Sequence, residues 1–387
     1  MLKTKCQKAI CRFLACFLLS LPTRALSTLY PPPQSLTVSA KAAVLMDQST
    51  GMLLYEQEGN TQLPPASVTK IMTILLVMEA LQEGRITPNE IVIVSSNAAS
   101  MGGSQVYLKE NETMELWELL KCVVVVSAND ASVALAEHLY GSEDVFVSKM
   151  NERAKELGMS QTNFVNCTGL PEENHLTTAY DIALMSRQLM LYHPEISELS
   201  TIWMDTIRGG TFGLSNTNRL IHSYPGALGL KTGSTDQALY CLSAVANREN
   251  LTLIAVVLKS PTSDQRFQDA SNLLDYGFAN FQIQEVTPTA PLPPTPVILG
   301  EKESVQGVLG DVSKILLQKT ESTSYIIHLP DTLEAPVRKG EQIGSFDVLV
   351  DGSLRENIPI YASEEVERLS VLGIFQKLFR ILLMAEI

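Results

Sequence analysis

Two short apolar runs, Ala42 to Met46 and Met52 to Tyr55, flank the turn-forming stretch Asp47-Gln48-Ser49-Thr50-Gly51, a pattern that predicts a strand hairpin. The run from Val68 to Leu81 is apolar and helix-permissive, and Pro64-Pro65 stops a helix from extending backwards past it. Residues 85–114 are polar and irregular. Helical patterns follow over Met114 to Val126, Asp130 to Tyr140, Val145 to Leu157 and Thr178 to Tyr192. The texture then turns to strands. Ala227 to Thr232 is short and extended, and Leu239 to Ala246 and Leu251 to Leu258 form a second hairpin around Asn247-Arg248-Glu249-Asn250, before a closing helix at Phe267 to Phe281. Strands at both ends with helices between them predict one α/β domain in which the first and last strands share an antiparallel sheet.

Beyond residue 283 the pattern changes. Residues 284–296 are rich in Pro and Thr and read as a linker. Short apolar runs at Ile315-Leu316-Leu317, Tyr325-Ile326-Ile327 and Val348-Leu349-Val350, separated by turn residues, predict a small all-β domain over 297–362. The chain ends in a two-sided helix. At 100° per residue Val371, Leu372, Ile374, Phe375, Leu378, Phe379, Ile381, Leu382 and Leu383 share one broad face, opposite Ser370, Gly373, Gln376, Lys377 and Arg380. Segment 364–387 is expected to lie in a membrane surface as an anchor; the competing expectation is a helix packed on the β domain.

The other end is a targeting segment. Lys3, Lys5, Lys8 and Arg12 precede the apolar run Phe13 to Leu21, and Thr23-Arg24-Ala25 provides a cleavage point, so residues 1–25 read as a signal peptide on an exported protein. Its removal leaves 24 basic against 42 acidic residues. A body this acidic, with no basic run, excludes nucleic acid as a partner and confines any membrane attachment to a local element. Cys122, Cys167 and Cys241 are odd in number, widely spaced and set in largely apolar segments, which predicts buried thiols and no disulfide framework.

Candidate chemistry starts at Ser67-Val68-Thr69-Lys70. A serine and a lysine three apart share one face of a helix, and a lysine kept neutral there can take the serine's proton. An ordinary helix start with a surface lysine would look the same. Two later stretches narrow the choice: Ser127-Ala128-Asn129, and Lys231-Thr232-Gly233, the only Lys-[Ser/Thr]-Gly in the chain. The trio in this order is a known signature of penicillin-binding proteins and class A β-lactamases.

With these motifs the chain resembles the low-molecular-mass penicillin-binding proteins that are serine-type D-alanyl-D-alanine carboxypeptidases. The resemblance runs through Pro65-Ala66-Ser67-Val68-Thr69-Lys70, Gly102-Gly103-Ser104, Ser127-Ala128-Asn129-Asp130-Ala131, His175-Leu176-Thr177-Thr178-Ala179-Tyr180-Asp181, Asn216-Thr217-Asn218 and Gly229-Leu230-Lys231-Thr232-Gly233-Ser234. It implies a transpeptidase/β-lactamase-like α/β domain over 36–283. It also implies a cleaved signal, a small C-terminal β domain and a terminal amphipathic anchor, placing the protein on the outer face of the cytoplasmic membrane. The partners implied are peptidoglycan stem peptides and, as covalent inhibitors, β-lactams; no cofactor or metal is implied. By the resemblance Ser67 is the nucleophile, Lys70 its base, and Ser127 a bridge between Lys70 and Lys231 that protonates the leaving amine. Asn129, Lys231, Thr232, Gly233 and Ser234 contact substrate, with the N–H groups of Ser67 and Ser234 as the oxyanion hole. Ser234 and Leu239 depart from the family's usual His and Gly, which bears on turnover. A β-lactamase would need a carboxylate to drive deacylation, with Glu172-Glu173 in about the right region. A non-enzymatic wall-binding or β-lactam-sensing protein is the second alternative.

Overall fold

The computed structural model describes residues 36–288, 291–311 and 314–384. The signal segment, the Tyr30-Pro31-Pro32-Pro33 spacer and Cys6, Cys11 and Cys16 lie outside the described residues, as do two residues of the linker and the last three of the terminal segment. Five strands form the central sheet: β1 (Ala42–Asp47), β2 (Leu53–Gln57), β3 (Ala227–Thr235), β4 (Leu239–Arg248) and β5 (Leu251–Ser260). Their order is β2-β1-β5-β4-β3 and every pairing is antiparallel, so the first and last segments do share a sheet. In β1 all six residues are buried. Ala42, Val44 and Met46 face the helical side, and Ala43 and Leu45 face the other, under the long helix Ser263–Asn280. A strand covered on both faces must be apolar throughout, which explains the uninterrupted Ala42 to Met46 run.

The longer helices of this domain are α1 (Lys70–Gln82), α2 (Leu116–Val125), α3 (Asn129–Tyr140), α4 (Glu143–Glu156), α5 (Ala179–Tyr192) and α6 (Ser263–Asn280), of which α1 and α3 begin at the site residues Lys70 and Asn129. Ser142, Thr178 and Thr262 cap α4, α5 and α6 by accepting the N–H three residues on. Helix α1 has apolar residues on all sides, and ten of its thirteen positions are buried. A helix of that kind belongs in the middle of a domain, not on its surface. Residues 85–114 hold two short strands, Ile91–Ile93 and Thr113–Glu115, paired with each other, and a short helix at Ser96–Ala99. Cys122, Cys167 and Cys241 are buried free thiols.

The β domain has its own core, with Val297, Phe346, Val348, Ile360 and Val366 at its centre. The structure moves its boundaries outward from 297–362. Strand Phe281–Glu285 pairs with Lys314–Gln318, and the bridges Gly300↔Arg368 and Val337↔Val366 tie the chain in as far as residue 368. Phe281-Gln282-Ile283-Gln284 alternates apolar and polar as an edge strand does, a signal masked by its place between a helix and a Pro-rich stretch. The terminal helix α7 spans Val371–Met384, and Val371, Leu372, Phe375, Leu378 and Phe379 are all more than half exposed. Their apolar surface is not packed on the β domain.

Candidate active site

Ser67 sits in a single 3-10 turn, Ala66–Thr69, that leads straight into α1. Lys70 is the first residue of α1 and is fully buried, because the helix it starts is buried all round. Its Nζ lies 2.6 Å from Asn129 Oδ1, 2.7 Å from the Thr168 carbonyl oxygen and 3.1 Å from Ser67 Oγ. Asn129 Oδ1 and the carbonyl can only accept. A neutral amine therefore spends its two hydrogens on them and turns its lone pair toward the Ser67 hydroxyl. Burial pushes the Lys70 pKa down to about 7, against a smaller upward pull from Cys167 and Asp130. The geometry and the charge state both suit proton transfer from Ser67 to Lys70 near neutral pH.

Each partner is itself held. Asn129 Nδ2 donates to the Gly102 carbonyl at 2.7 Å and Asn129 N to the Ser104 carbonyl at 2.7 Å. The loop that presents Thr168 is bolted to α1: Thr73 Oγ1 donates to the Cys167 carbonyl at 2.7 Å. Val165 N–H donates to His175 Nδ1 at 3.0 Å, so the ring hydrogen is on Nε2, which reaches Thr69 Oγ1 at 2.8 Å. Burial pushes the His175 pKa down to about 4, keeping the ring neutral. Gly169 (φ +83°) lies so close to the nucleophile's turn that a Cβ there would fall 1.8 Å from the Ala66 carbonyl oxygen. Glu172 and Glu173 are exposed, and among the described residues no carboxylate hydrogen-bonds Lys70 Nζ.

Strand β3 brings the last motif. It is the edge of the sheet, paired only with β4, so its outer side is open to an added strand. Its Gly233 lies against the nucleophile: a Cβ there would come 2.9 Å from Ser67 N and 3.0 Å from Val68 N. Any other residue would therefore crowd the Ser67 N–H. Lys231 is buried and donates to the Thr232 carbonyl at 3.0 Å. Its pKa is held well below the usual lysine range, first by burial, then by the charges of Lys70 and Arg266. In both lysines burial is the first cause of the downward shift. Thr232 Oγ1 donates to Thr217 Oγ1 at 2.7 Å. Ser234 is exposed at the mouth. Leu239, the departure from glycine, keeps a left-handed backbone at φ +52°. The turn out of β3 thus retains a conformation that suits glycine, at a cost of about 1–2 kcal/mol.

Ser127 departs from expectation. Its hydroxyl is buried and makes no hydrogen bond, so it does not bridge the two lysines here. The two buried acceptors beside Lys70 take up that amine instead. Ser127 is also held at φ +63°. A buried orphan hydroxyl on a strained backbone is costly to keep and marks a place where a bound group completes the bonding. Sequence reasoning passed over Thr168, which contributes only a carbonyl, and Arg266, one of 29 basic residues with no motif around it. Arg266 Nη1 donates to the Gly233 carbonyl at 3.2 Å, and its guanidinium lies over the Tyr240 and Phe267 rings. Burial pushes its pKa down to about 10.

The family model for D-alanyl-D-alanine carboxypeptidase matches residues 29–262, and that for the penicillin-binding protein 5 C-terminal domain matches 292–368. The chain is 40% identical over 336 residues to D-alanyl-D-alanine carboxypeptidase DacF of Bacillus subtilis, covering 85% of this chain and 86% of that protein. Penicillin-binding protein 5 from Haemophilus influenzae superimposes with a TM-score of 0.74 at 30% identity, over 88% of this chain and 100% of that one. Penicillin-binding protein D2 from Listeria monocytogenes in its ampicillin-bound form gives a TM-score of 0.58 at 34% identity, over 63% of this chain and 99% of that one.

Proposed function

The chain belongs to the D-alanyl-D-alanine carboxypeptidase family of serine hydrolases, and on that footing we propose that Ser67 removes the terminal D-Ala of peptidoglycan stem pentapeptides with Lys70 as its base. Ser67 Oγ attacks the carbonyl of the penultimate D-Ala as its proton passes to the Lys70 lone pair. The oxyanion is taken by the N–H groups of Ser67 and Ser234, beside the space that Gly233 leaves open. The Ser127 hydroxyl meets the leaving amine and relays to it the proton that Lys70 took from Ser67, so that the C–N bond breaks, D-Ala leaves and Lys70 is neutral again. Asn129 holds Lys70 and meets the substrate peptide. Lys231 and Thr232 receive the terminal carboxylate, whose negative charge favours the protonated form of Lys231 that burial disfavours. Water then releases the acyl group. Penicillins enter by the same acylation. The observation that carries this reading is the three-way hold on Lys70 Nζ, which leaves its lone pair for Ser67.

The test pairs two reagents. A labelled penicillin should mark the wild type and leave Ser67→Ala unmarked, and a D-Ala-D-Ala peptide should yield free D-Ala only with the wild type. Rapid penicillin turnover without D-Ala release would instead make the protein a β-lactamase; neither label nor release would leave a wall-binding protein.

We also propose that the protein is exported and rests on the membrane surface through α7. Among the described residues no helix is long and apolar enough to cross a membrane. A 14-residue helix is about 21 Å long, and its exposed apolar side chains suit burial among headgroups. The full-length mature protein should sediment with phospholipid vesicles, and Phe375→Asp with Phe379→Asp should abolish this without changing D-Ala release. Unchanged sedimentation of the double variant would rule the anchor out.

A further inference from the structure

The segment that leaves the site through Gly102 and Ser104 carries a second built feature. Tyr107 is 65% exposed yet held in the left-handed region, at φ +56°. For a bulky residue this is an outlier that costs about 1–2 kcal/mol. The backbone on either side is pinned. Val106 N and Leu108 N both donate to the buried Asp130 carboxylate, at 3.1 and 3.0 Å. Arg208 closes the other side, with Nη1 donating to the Val106 carbonyl at 2.9 Å, Nη2 reaching the Tyr107 carbonyl at 3.4 Å and Nε on Glu112 at 2.7 Å. The Tyr107 ring meets the Phe212 ring edge to face, centroids 6.3 Å apart, and Arg208 lies over Phe212. A fully buried carboxylate, two backbone amides and an arginine thus hold one aromatic ring out in solvent. Strain of this kind, maintained by such bonding, collects where a ligand is met.

The place is tied to the reaction. Asp130 directly follows Asn129, which touches Lys70, and Ser104 accepts the Asn129 N–H. Three residues of chain take Tyr107 no more than about 10 Å from Ser104. Phe212 lies five residues before Thr217, the partner of Thr232. The rings stand over a groove of about 490 Å³, with Lys109, Glu112 and Thr211 along its rim. This is the size of a small-ligand site, with an aromatic wall and polar groups around it.

We propose that Tyr107, backed by Phe212, is a platform for the glycan end of the substrate, stacking on a peptidoglycan amino sugar. The proposal rests on the carboxypeptidase reading. With the fourth residue of a stem peptide at Ser67, the three residues before it span about 10 Å when extended. The next group is the sugar that bears the peptide, and Tyr107 follows by three residues the Ser104 carbonyl that accepts from Asn129, the residue that holds Lys70. An amino sugar presents an apolar C–H face to a ring and hydroxyls to a polar rim.

The test compares a disaccharide pentapeptide with the same pentapeptide lacking sugars. Tyr107→Ala should raise KM for the first about three- to tenfold, the scale of one aromatic contact. It should change KM for the second less than twofold and leave kcat for both alone, and Tyr107→Phe should behave as wild type. Equal effects on both substrates, or none, would overturn the platform. If the wild type releases D-Ala from neither substrate, the reading of the reaction fails on its own. The platform is then judged by calorimetric binding of the disaccharide pentapeptide to Ser67→Ala with and without Tyr107→Ala, where equal affinities overturn it.

Discussion

Replacing Lys70 by methionine should lower the rate constant for acylation by penicillin about 10²–10⁴-fold, the contribution of a positioned general base. Methionine keeps the length and apolar stem of the side chain but has no lone pair to offer Ser67 and no hydrogens for Asn129 Oδ1 and the Thr168 carbonyl. Two buried acceptors then go unmet, which should cost about 1–3 kcal/mol each in stability and lower Tm measurably. Lys70→Arg separates charge from basicity, since a guanidinium keeps its proton; it should be as slow as Lys70→Met. The wild type supplies the matching pH test. Because burial lowers Lys70 to about 7, the base form is lost as pH falls, and kcat/KM for D-Ala release should fall tenfold per pH unit below about 7. The linked stability effect has the same direction. The unfolded chain holds this proton up to 10.5, so Lys70 costs stability below pH 10.5, and that cost is greatest at and below about pH 7 and fades as pH rises toward 10.5 only in the sense that the unfolded chain then gives up the same proton. An acid limb displaced to below pH 5, or a Lys70→Met enzyme within tenfold of wild type, would remove Lys70 as the base.

Gly169→Ala should be the most damaging glycine substitution near the site. Gly141, at the end of α3, has the same left-handed backbone (φ +82°), yet a Cβ there would have nothing within 4 Å, whereas at Gly169 that carbon meets the Ala66 carbonyl oxygen at 1.8 Å and Ser67 N at 2.9 Å. Gly141→Ala therefore measures backbone strain alone, about 1–2 kcal/mol. Gly169→Ala adds a clash with the Ala66–Ser67 peptide that no rotamer relieves. Either the 165–169 loop or the Ala66–Thr69 turn must move, taking the Thr168 carbonyl from Lys70 or Ser67 from its place. Tm should fall several times further than in Gly141→Ala, and penicillin acylation of the folded fraction should drop at least tenfold. Equal Tm and equal acylation in the two variants would mean that this contact does not hold the nucleophile.

Much of this site was legible in the chain as written. Ser67 and Lys70 share a helical face by spacing alone, but the spacing leaves open whether that lysine is at the surface or desolvated, and packing decides it by burying the helix it starts. Other parts were not legible, each for a physical reason. Thr168 acts through its backbone, which every residue possesses. Arg266 lies one residue before the helix predicted from Phe267, in a first turn that the sequence pattern did not mark. Ser127 was expected to bridge the lysines, but buried competing acceptors outrank it for Lys70. The domain boundary at Phe281–Glu285 was hidden because strand pairing with Lys314–Gln318 is a long-range choice.

By itself the sequence determined the order of elements, the apolar runs of β1 and α1, the two-sided pattern of the terminal helix and the residue types available for acyl transfer. These follow from periodicity and composition, which act over a few residues at a time. Only the tertiary structure decided that segments from Ser67, Asn129, Thr168 and Lys231 converge, that Lys70 has its lone pair left for Ser67, and that the missing side chain of Gly233 leaves the Ser67 N–H uncrowded. Distances of a few ångströms between residues a hundred positions apart are settled by how the sheet and helices pack, and the lysine's pKa is settled by that packing too.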